Sequence, residues 1–344
     1  MAVKECLHPA AVPQEHTEPE DETEEARPAN GQERNELLSD LTFSRGFSVT
    51  KFHSNSSCGA EAGVLDYNGA KAAGSPCWRM AQWGCTRNMV EQGVFTSRGS
   101  VYAYDDGGKH LSVDVSKKGC LSLAIKGSVE YTPDAEGNVR ERTDPGENWP
   151  HILVEQMVDH PISADCKALY MDIEYCVDGC TSAVDRSIYP VCNDLNAAQF
   201  QWFITLSDND EKSESYRQSM WFGFSMFDSR AQGGTPDGIA AYDGGKEDCT
   251  GLFIYMPSLR DAETYAPQSR VSALPSAVVG KKVAVRFDIL PFLARALEVA
   301  HGYGAMRGAS VEHLTIGSTN IGWELPGNYD VSVKITHLGM YECF

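Results

Sequence analysis

Basic residues are scarce in this sequence. Its 344 residues include 29 lysines and arginines against 48 aspartates and glutamates, a formal net charge of −19. A strongly acidic surface repels nucleic acid phosphates and anionic membrane surfaces. The charge balance therefore argues against nucleic acid or a membrane as a partner and favours a small-molecule or oligosaccharide ligand that carries no negative charge.

Long apolar runs and a secretory signal are also missing. The first 20 residues have neither a positively charged start nor an apolar centre, and no run reaches the roughly 18 apolar residues of a membrane-spanning helix. The 11 cysteines form no C-x-x-C pair of a zinc site. We therefore expect a cytoplasmic protein with free thiols that act as small buried hydrophobic groups.

Nucleotide-binding and serine hydrolase motifs are absent as well. There is no P-loop and no G-x-S-x-G sequence, and Gly302-Tyr303-Gly304 follows a predicted helix where a dinucleotide loop would precede one. No fixed-period repeat and no regular alternation of strands with helices is present, which argues against propellers, solenoids and parallel α/β sheets.

The N-terminal segment differs in composition from the rest. Residues 1–36 contain ten acidic and three basic residues and almost no large apolar side chains, so ordering them would cost more entropy than burial returns. We predict a disordered acidic tail over residues 1–40, with an acidic docking segment as the alternative, and a single domain over residues 41–344.

The domain contains many short β-type segments separated by Gly, Asn and Asp. One long helix is predicted after Asp288 as N-cap, with Pro291 in its first turn, and it ends at Gly302 or Gly304. About a dozen strands against one helix predict an all-β, two-sheet antiparallel jelly-roll sandwich with one helix near the C-terminus. The predicted strands include 47–52, 99–104, 110–115, 120–125, 151–158, 169–176, 199–206, 219–227, 283–287, 314–317, 321–325 and 329–337.

Two carboxylates share a face of the predicted strand 169–176. Alternation sends Leu169 and Ile173 to one side and Asp172 and Glu174 to the other. Side chains two apart on a strand lie roughly 7 Å apart, which is in the range of glycosidase carboxylate pairs. Asp172 and Glu174 are therefore candidate catalytic residues. The alternative is that they form the solvated outer face of an antiparallel sheet.

Further polar and aromatic residues cluster around the predicted strand 151–158. Tryptophan offers a flat apolar face to a sugar ring, and carboxylates and amides bind its hydroxyl groups. We expect a shared hollow in which Glu155 is an alternative catalytic acid beside Asp172 and Glu174. The candidate ligand-binding residues are Trp149, His151, Gln201, Trp221, Trp323 and Glu324.

Strand alternation sends Trp323 and Glu324 to opposite faces, so only one of them serves a given site. The alternative is that Trp323 lies in the core and Glu324 in solvent. Trp202, which alternates with Phe200 and Ile204, is predicted to lie in the core.

Several turns are rich in aspartate and could bind calcium through oxygen ligands. Asp208 and Asp210 are the first candidates for such a metal site, although ordinary turn chemistry is the favoured explanation of each turn and none has the EF-hand spacing. Other candidate turns hold Asp105 with Asp106, and Asp243 with Glu247 and Asp248. No other cofactor is expected.

The many short strands, the polar face in the middle of the chain and the aromatic loops resemble the concanavalin A-like lectin and glucanase sandwiches. The resemblance covers about residues 40–344 and is at the level of fold. The glucanase-type E-x-D-x-x-E strand is approached by Asp172-Ile173-Glu174, but Tyr170 and Val177 are not acidic. The resemblance implies a curved sandwich in which one concave sheet holds sugar.

These observations favour a protein that binds a neutral saccharide on a concave sheet. One alternative is a glycoside hydrolase, in which one carboxyl group stays protonated while another, of Glu174, Asp172 or Glu155, is ionised. The other alternative is a structural or interaction protein without a sugar site.

Overall fold

The protein is a sandwich of two nine-stranded sheets in a computed structural model that describes residues 33–51, 60–69, 74–189, 195–231, 238–244, 250–258, 270–271 and 278–344. Sheet A has the strand order β15-β16-β10-β18-β8-β7-β6-β5, and β1 pairs with β18. Sheet B has the order β13-β14-β12-β11-β17-β9-β4-β2-β3. The strands are β1 (Arg34–Glu36), β2 (Phe47–Thr50), β3 (Glu61–Leu65), β4 (Trp78–Ala81), β5 (Val94–Arg98), β6 (Val101–Asp105), β7 (Lys109–Asp114), β8 (Leu121–Lys126), β9 (His151–Pro161), β10 (Ala168–Ser182), β11 (Gln199–Asp208), β12 (Ser219–Asp228), β13 (Ile239–Tyr242), β14 (Phe253–Met256), β15 (Arg270–Val271), β16 (Lys282–Asp288), β17 (Leu314–Glu324) and β18 (Tyr329–Cys343).

Most strand pairs are antiparallel, and β2 with β4 and β12 with β14 are parallel. The predicted all-β two-sheet sandwich is therefore confirmed. In the described parts of the chain, three α-helices join the strands: α1 (Met89–Gln92), α2 (Gly127–Glu130) and α3 (Leu290–Gly302).

The core lies between the two sheets and is rich in aromatic rings. Phe224 of β12 stacks on Phe287 of β16 with ring centroids 4.2 Å apart, and Tyr175 of β10 lies 5.2 Å from Phe200 of β11. Trp202 is buried, as predicted. Each sheet therefore has one face in the core, and its other face is available for polar groups.

Helix α3 follows β16 directly, as predicted. The N-cap position is Ile289, one residue after the predicted Asp288. Asp288 nevertheless accepts a hydrogen bond from the backbone N–H of Leu290 at 3.2 Å and from that of Leu169 at 3.1 Å. Its carboxylate therefore joins the start of the helix to β10.

The compact unit begins before the predicted tail boundary at residue 40. Residues 1–32 lie outside the described residues, and Glu33–Phe344 form one compact unit. Arg34–Glu36 pair with the end of β18, and Leu38 is buried. A three-residue strand held by a partner strand needs little apolar surface of its own, so composition alone gives no sign of this pairing.

The two strands predicted at 314–317 and 321–325 form one continuous strand, β17. Ser318, Thr319 and Asn320 suggest a turn in sequence, but they continue the strand after a register shift between Ile316 and Ser318. Polar residues at this point are accommodated because Asn320 lies on the face of sheet B that points away from the core.

The described residues also answer the expectations about apolar helices and thiols. Within the described ranges, no helix has the length and apolar character needed to span a membrane. The seven cysteines of those ranges are free thiols: Cys77, Cys85, Cys120, Cys166, Cys176, Cys180 and Cys343.

Candidate functional site

A cavity of about 340 Å³ lies on the face of sheet B that points away from the core. Its volume falls in the range of small-molecule sites, which is about 300–1,000 Å³. Strands β9, β11, β12, β13, β14 and β17 all contribute to it, together with the loops before β9 and after β4. The lining residues are Trp83, Gly84, Asn148, Trp149, His151, Leu153, Gln199, Gln201, Phe203, Trp221, Ile239, Tyr242, Asp243, Gly244, Thr250, Ile254, Met256, Asn320 and Glu324.

Strand alternation explains how polar side chains reach this face. On β9, Ile152 and Val154 are buried in the core, so His151 and Leu153 point the other way, into the cavity. The same alternation on β11 separates core residues from Gln199, Gln201 and Phe203.

Strand register then aligns three of these side chains in a row across the sheet. Glu324 of β17 lies opposite His151 of β9 on one side and opposite Gln199 of β11 on the other. Directly opposed residues on adjacent strands have side chains on the same face and in contact. The row therefore forms the polar floor of the cavity.

The row ends at Asp228, which lies opposite Gln199 on β12. The Gln199 amide donates to Asp228 Oδ2 at 2.9 Å, and Arg230 donates to the same carboxylate. Burial raises the pKa of Asp228, but the hydrogen bonds from Arg230 and Gln199 outweigh burial, so its pKa lies below the ordinary value. Asp228 is ionised at neutral pH, and Gln199 is held by it.

Glu324 is the carboxylate at the centre of the row. The indole N–H of Trp149 donates to its Oε2 at 3.2 Å, and His151 Nε2 lies 3.6 Å from the same oxygen. The rings of Trp149 and His151 stack with an interplanar angle of 22°. Three of the residues predicted from sequence are thus in mutual contact at one end of the cavity.

The orientation of His151 limits where its protons are. Its Nδ1 lies 3.2 Å from the backbone carbonyl oxygen of Trp83, which only accepts hydrogen bonds, so Nδ1 carries a proton. Nε2 then faces Glu324. The His151 ring is therefore oriented by the Trp83 carbonyl at one nitrogen and by the Glu324 carboxylate at the other.

Aromatic side chains form two walls of the cavity. Trp83 and Trp149 lie at the His151 end. At the other end Trp221 packs edge-on against Phe203 with centroids 6.0 Å apart, and its indole N–H donates to Thr250 at 3.0 Å. Flat apolar walls above a polar floor suit a ligand with both apolar and hydroxyl faces.

The loop that carries Trp83 approaches Trp149 very closely. Gly84 has a φ of +65°, and a Cβ atom on it would lie 2.2 Å from the carbonyl oxygen of Trp149. Only glycine permits both the left-handed backbone and this approach. Sequence reasoning did not identify Trp83 or Gly84, because nothing near them in sequence indicates that their loop meets β9.

Glu155 lies beside the cavity and does not line it. Arg79 binds its Oε2 from Nε and from a terminal nitrogen, both at 2.7 Å. Burial raises the pKa of Glu155, and the Arg79 guanidinium opposes this rise without cancelling it. Its carboxylate is therefore occupied by an ion pair next to Asn320, its register partner on β17.

Asp172 and Glu174 do not join the other predicted site residues. They lie on β10 of sheet A, on the face opposite Met171 and Ile173, which are in the core. Asp172 Oδ2 accepts from Arg286 at 2.8 Å, and Glu174 Oε2 lies 2.8 Å from Lys282 Nζ. The prediction that Asp172 and Glu174 share a hollow with His151 is therefore wrong. Alternation defines the face of one strand but not the sheet to which that strand belongs.

Trp323 and Glu324 point to opposite faces, as alternation predicts. Trp323 is fully buried and packs on Phe200 with centroids 5.5 Å apart, whereas Glu324 lines the cavity. The structure therefore places Trp149, His151, Gln201, Trp221 and Glu324 in one cavity and Trp323 in the core.

The predicted calcium turn is closed by its own hydrogen bonds. Asp208 Oδ2 accepts from Ser215 at 2.7 Å, and its Oδ1 accepts from the backbone N–H of Asp210. Asp210 Oδ2 lies 3.6 Å from His313. The described ranges contain no group of three or more His, Cys, Asp or Glu residues that could hold a metal ion. Glu247 and Asp248 lie outside the described residues.

Gln199 and Asn320 also line the cavity and were not identified from sequence, and Asp243, which was named only as a candidate calcium ligand, lines it too. Gln199 was detectable, because it lies two residues before Gln201 on the same strand and alternation places both on one face. Asn320 was overlooked because it was assigned to a gap between two strands.

Comparison with known proteins gave matches among solved structures alone: no protein-family model matches the sequence, and no curated protein does. A family 12 xyloglucanase from Bacillus licheniformis is 9% identical with a TM-score of 0.37, over 73% of this chain and 96% of that one. A family 11 xylanase from Neocallimastix patriciarum is 8% identical with a TM-score of 0.35, over 73% and 95%. An endoglucanase from Rhodothermus marinus is 9% identical with a TM-score of 0.33, over 72% and 93%.

At such identities and TM-scores, the assignment of fold class rests on the two sheets themselves.

Proposed function

We propose that this protein binds a neutral saccharide in the cavity of sheet B. The observation that carries the proposal is the convergence of Glu324, Gln199, Gln201 and Asn320 between tryptophan walls. Carboxylate and amide groups bind sugar hydroxyls in fixed directions, and indole rings cover the apolar face of the ring.

The charge of the cavity supports a neutral ligand. Among the described residues, those that line it include no lysine and no arginine, whereas Glu324 and Asp243 are acidic. A polyanionic saccharide would need cations to offset its charge on entering this cavity. The net charge of −19 for the whole chain acts in the same direction.

Calorimetric titration with neutral and uronic acid oligosaccharides of equal length tests this proposal. We expect binding of a neutral oligosaccharide that is lost in Gln201→Ala, because that variant removes an amide from the cavity floor. Glu174→Gln is the matched control, since Glu174 lies on sheet A. Tighter binding of the uronic acid series, or equal binding by Gln201→Ala, contradicts the proposal.

A second candidate function is hydrolysis of a glycosidic bond at Glu324. The observation that favours it is the position of Glu324 at the cavity wall, where His151 Nε2 lies 3.6 Å and the Trp149 indole nitrogen 3.2 Å from the same carboxylate oxygen. Glycoside hydrolysis requires one carboxyl group that donates a proton and a second that is ionised.

Asp228 is the second carboxylate in this candidate mechanism. Its pKa is lowered, which suits the ionised role. Its strand lies two spacings from that of Glu324, about 9.5 Å between backbones, and carboxyl groups of inverting glycosidases are about 6.5–9.5 Å apart. Asp228 is 5% exposed behind Gln199, so Gln199 must move aside for a water molecule to reach it. Release of reducing sugar by the wild type and its loss in Asp228→Asn test this role.

A further inference from the structure

A buried charge cluster, defined as Lys109, Asp106 and Glu130, lies next to the cavity without lining it. All three side chains are 0% exposed. Lys109 Nζ lies 2.8 Å from Asp106 Oδ2 and 2.9 Å from Glu130 Oε1, and it donates to the backbone carbonyl of Arg87 at 2.8 Å. Two of the three ammonium N–H donors thus have hydrogen-bond acceptors, Glu130 Oε1 and the Arg87 carbonyl oxygen. Asp106 Oδ2 is in ion-pair contact with Nζ and has no hydrogen-bond partner among the described residues.

The cluster also binds a loop on the other sheet. The cavity loop, defined as Trp83–Arg87, follows β4 of sheet B. Glu130 Oε2 accepts from the backbone N–H of Thr86 at 2.7 Å and from that of Arg87 at 3.2 Å. In return, the Arg87 guanidinium donates to the backbone carbonyl of Asp106 at 2.8 Å. The cavity loop is thus attached to the cluster at its C-terminal end.

The opposite end of the cavity loop holds residues of the cavity wall. Trp83 and Gly84 line the cavity, and the backbone carbonyl of Trp83 accepts from the backbone N–H of His151 at 2.9 Å. The Cys85 thiol donates to the carbonyl oxygen of His151 at 3.2 Å. A shift of this loop therefore moves Trp83 directly and changes the hydrogen bonds that orient His151.

We propose that the charge cluster is a positioning device that sets Trp83 and His151 for ligand binding. Asp106 lies in the β6–β7 turn of sheet A, Lys109 is the first residue of β7, and Glu130 ends α2, so the cluster holds a loop of sheet B against the β6–β7 turn of sheet A. Burying three charges is costly unless every group is paired. The buried carboxylate of Glu130 therefore needs the backbone N–H groups of Thr86 and Arg87 as well as Lys109, and this need holds the cavity loop in one position. The effect on affinity rests on the proposed saccharide function, whereas the effect on the loop does not.

Glu130→Gln is the primary test, because it keeps the shape of the side chain and removes its charge. The amide nitrogen of glutamine cannot accept a hydrogen bond, so either Lys109 or the two loop N–H groups lose their acceptor. We expect hydrogen exchange of the Thr86 and Arg87 amides to become about tenfold faster, with exchange in β11 and β17 unchanged.

A spectroscopic signal reports on the cavity wall itself. In protein labelled with 5-fluorotryptophan, the fluorine resonance of Trp83, assigned with Trp83→Phe, should shift or broaden in Glu130→Gln. The dissociation constant of a neutral oligosaccharide should rise about tenfold. Unchanged exchange at Thr86 and Arg87 together with an unchanged Trp83 resonance would overturn the proposal.

Two further variants keep the test decisive. Lys117→Met is the matched control, since Lys117 pairs with Asp114 at the same sequence spacing as Lys109 with Asp106 but is 68% exposed; it should change neither signal. If Glu130→Gln does not fold, Arg87→Met removes the bond to Asp106 and should give the same local changes. If no saccharide binds the wild type, the proposed function fails, while exchange and the Trp83 resonance still decide the positioning role.

Discussion

The indole N–H of Trp149 donates to the carboxylate of Glu324 across 3.2 Å. Trp149 lies in the loop before β9, and Glu324 is the last residue of β17. The contact therefore fixes an aromatic wall of the cavity to its acidic floor. The Glu324 side chain is 20% exposed and lines the cavity.

Replacing Trp149 with phenylalanine should weaken saccharide binding. Phenylalanine keeps an apolar ring but has no donor for Glu324, and loss of a hydrogen bond to a charged group costs about 1.5 kcal/mol, roughly tenfold in Kd. Titration calorimetry measures the change. Trp221→Phe is the control, since its indole N–H donates to the hydroxyl of Thr250 and not to a charged group. Equal losses in the two variants would argue against a special role of the Glu324 contact.

Glu324→Gln should abolish any hydrolysis while binding persists. A glutamine keeps the shape of the floor but cannot donate or accept the catalytic proton, and loss of general acid–base catalysis lowers kcat by about 10²–10⁴. Glu174→Gln should leave kcat unchanged, because Glu174 binds Lys282 and Thr336 on sheet A. The rate of reducing-sugar release by the two variants shows which carboxylate is catalytic. Loss of activity in Glu174→Gln alone would assign catalysis to Glu174 and not to Glu324.

Local patterns predicted much of the fold and part of the cavity. Because side chains alternate between the two faces of a strand, the sequence predicted that His151, Gln201 and Glu324 point away from the core, without any knowledge of strand order. Strand order is a long-range property, and it decides that β10 belongs to sheet A. For that reason the Asp172–Glu174 pair has the predicted spacing and the predicted face but lies on a different sheet from His151.

Loops were harder to place than strands. Trp83 reaches the cavity because Glu130 and His151, 47 and 68 residues further along the chain, bind its loop. No sequence periodicity carries such a contact. Sequence reasoning is therefore most dependable where the backbone repeats and least dependable where hydrogen bonds between distant segments determine the path of the chain.

Gly84→Ala should destabilise the fold and deform the cavity. The added Cβ would lie 2.2 Å from the Trp149 carbonyl oxygen, on a backbone with φ of +65°. Overpacking costs about 1–3 kcal/mol, and a left-handed backbone adds about 1–2 kcal/mol. Gly99→Ala separates the two effects, since Gly99 has φ of +62° and nothing within 4 Å of the added atom. In urea unfolding, Gly84→Ala should lower the free energy of unfolding more than Gly99→Ala does. Equal decreases would show that the backbone at Trp149 moves aside at little cost.

Asp172 should make the protein more stable at neutral pH than in acid. Burial raises the pKa of its carboxyl group, but hydrogen bonds and charges from His337 and Arg286 outweigh burial and place the folded-state pKa below 3.8. A carboxyl group whose pKa is lowered by folding contributes stability above its unfolded value, and the contribution is lost as the pH falls below 3.8 through the folded value. Asp172→Asn should therefore lower the free energy of unfolding at pH 7 and reduce its fall between neutral and acidic pH.

Urea titrations of both proteins over this pH range measure the difference, and Asp165→Asn, a substitution at an exposed aspartate, is the control. Parallel pH curves for the wild type and Asp172→Asn would show that the ion pair with Arg286 contributes nothing to this dependence.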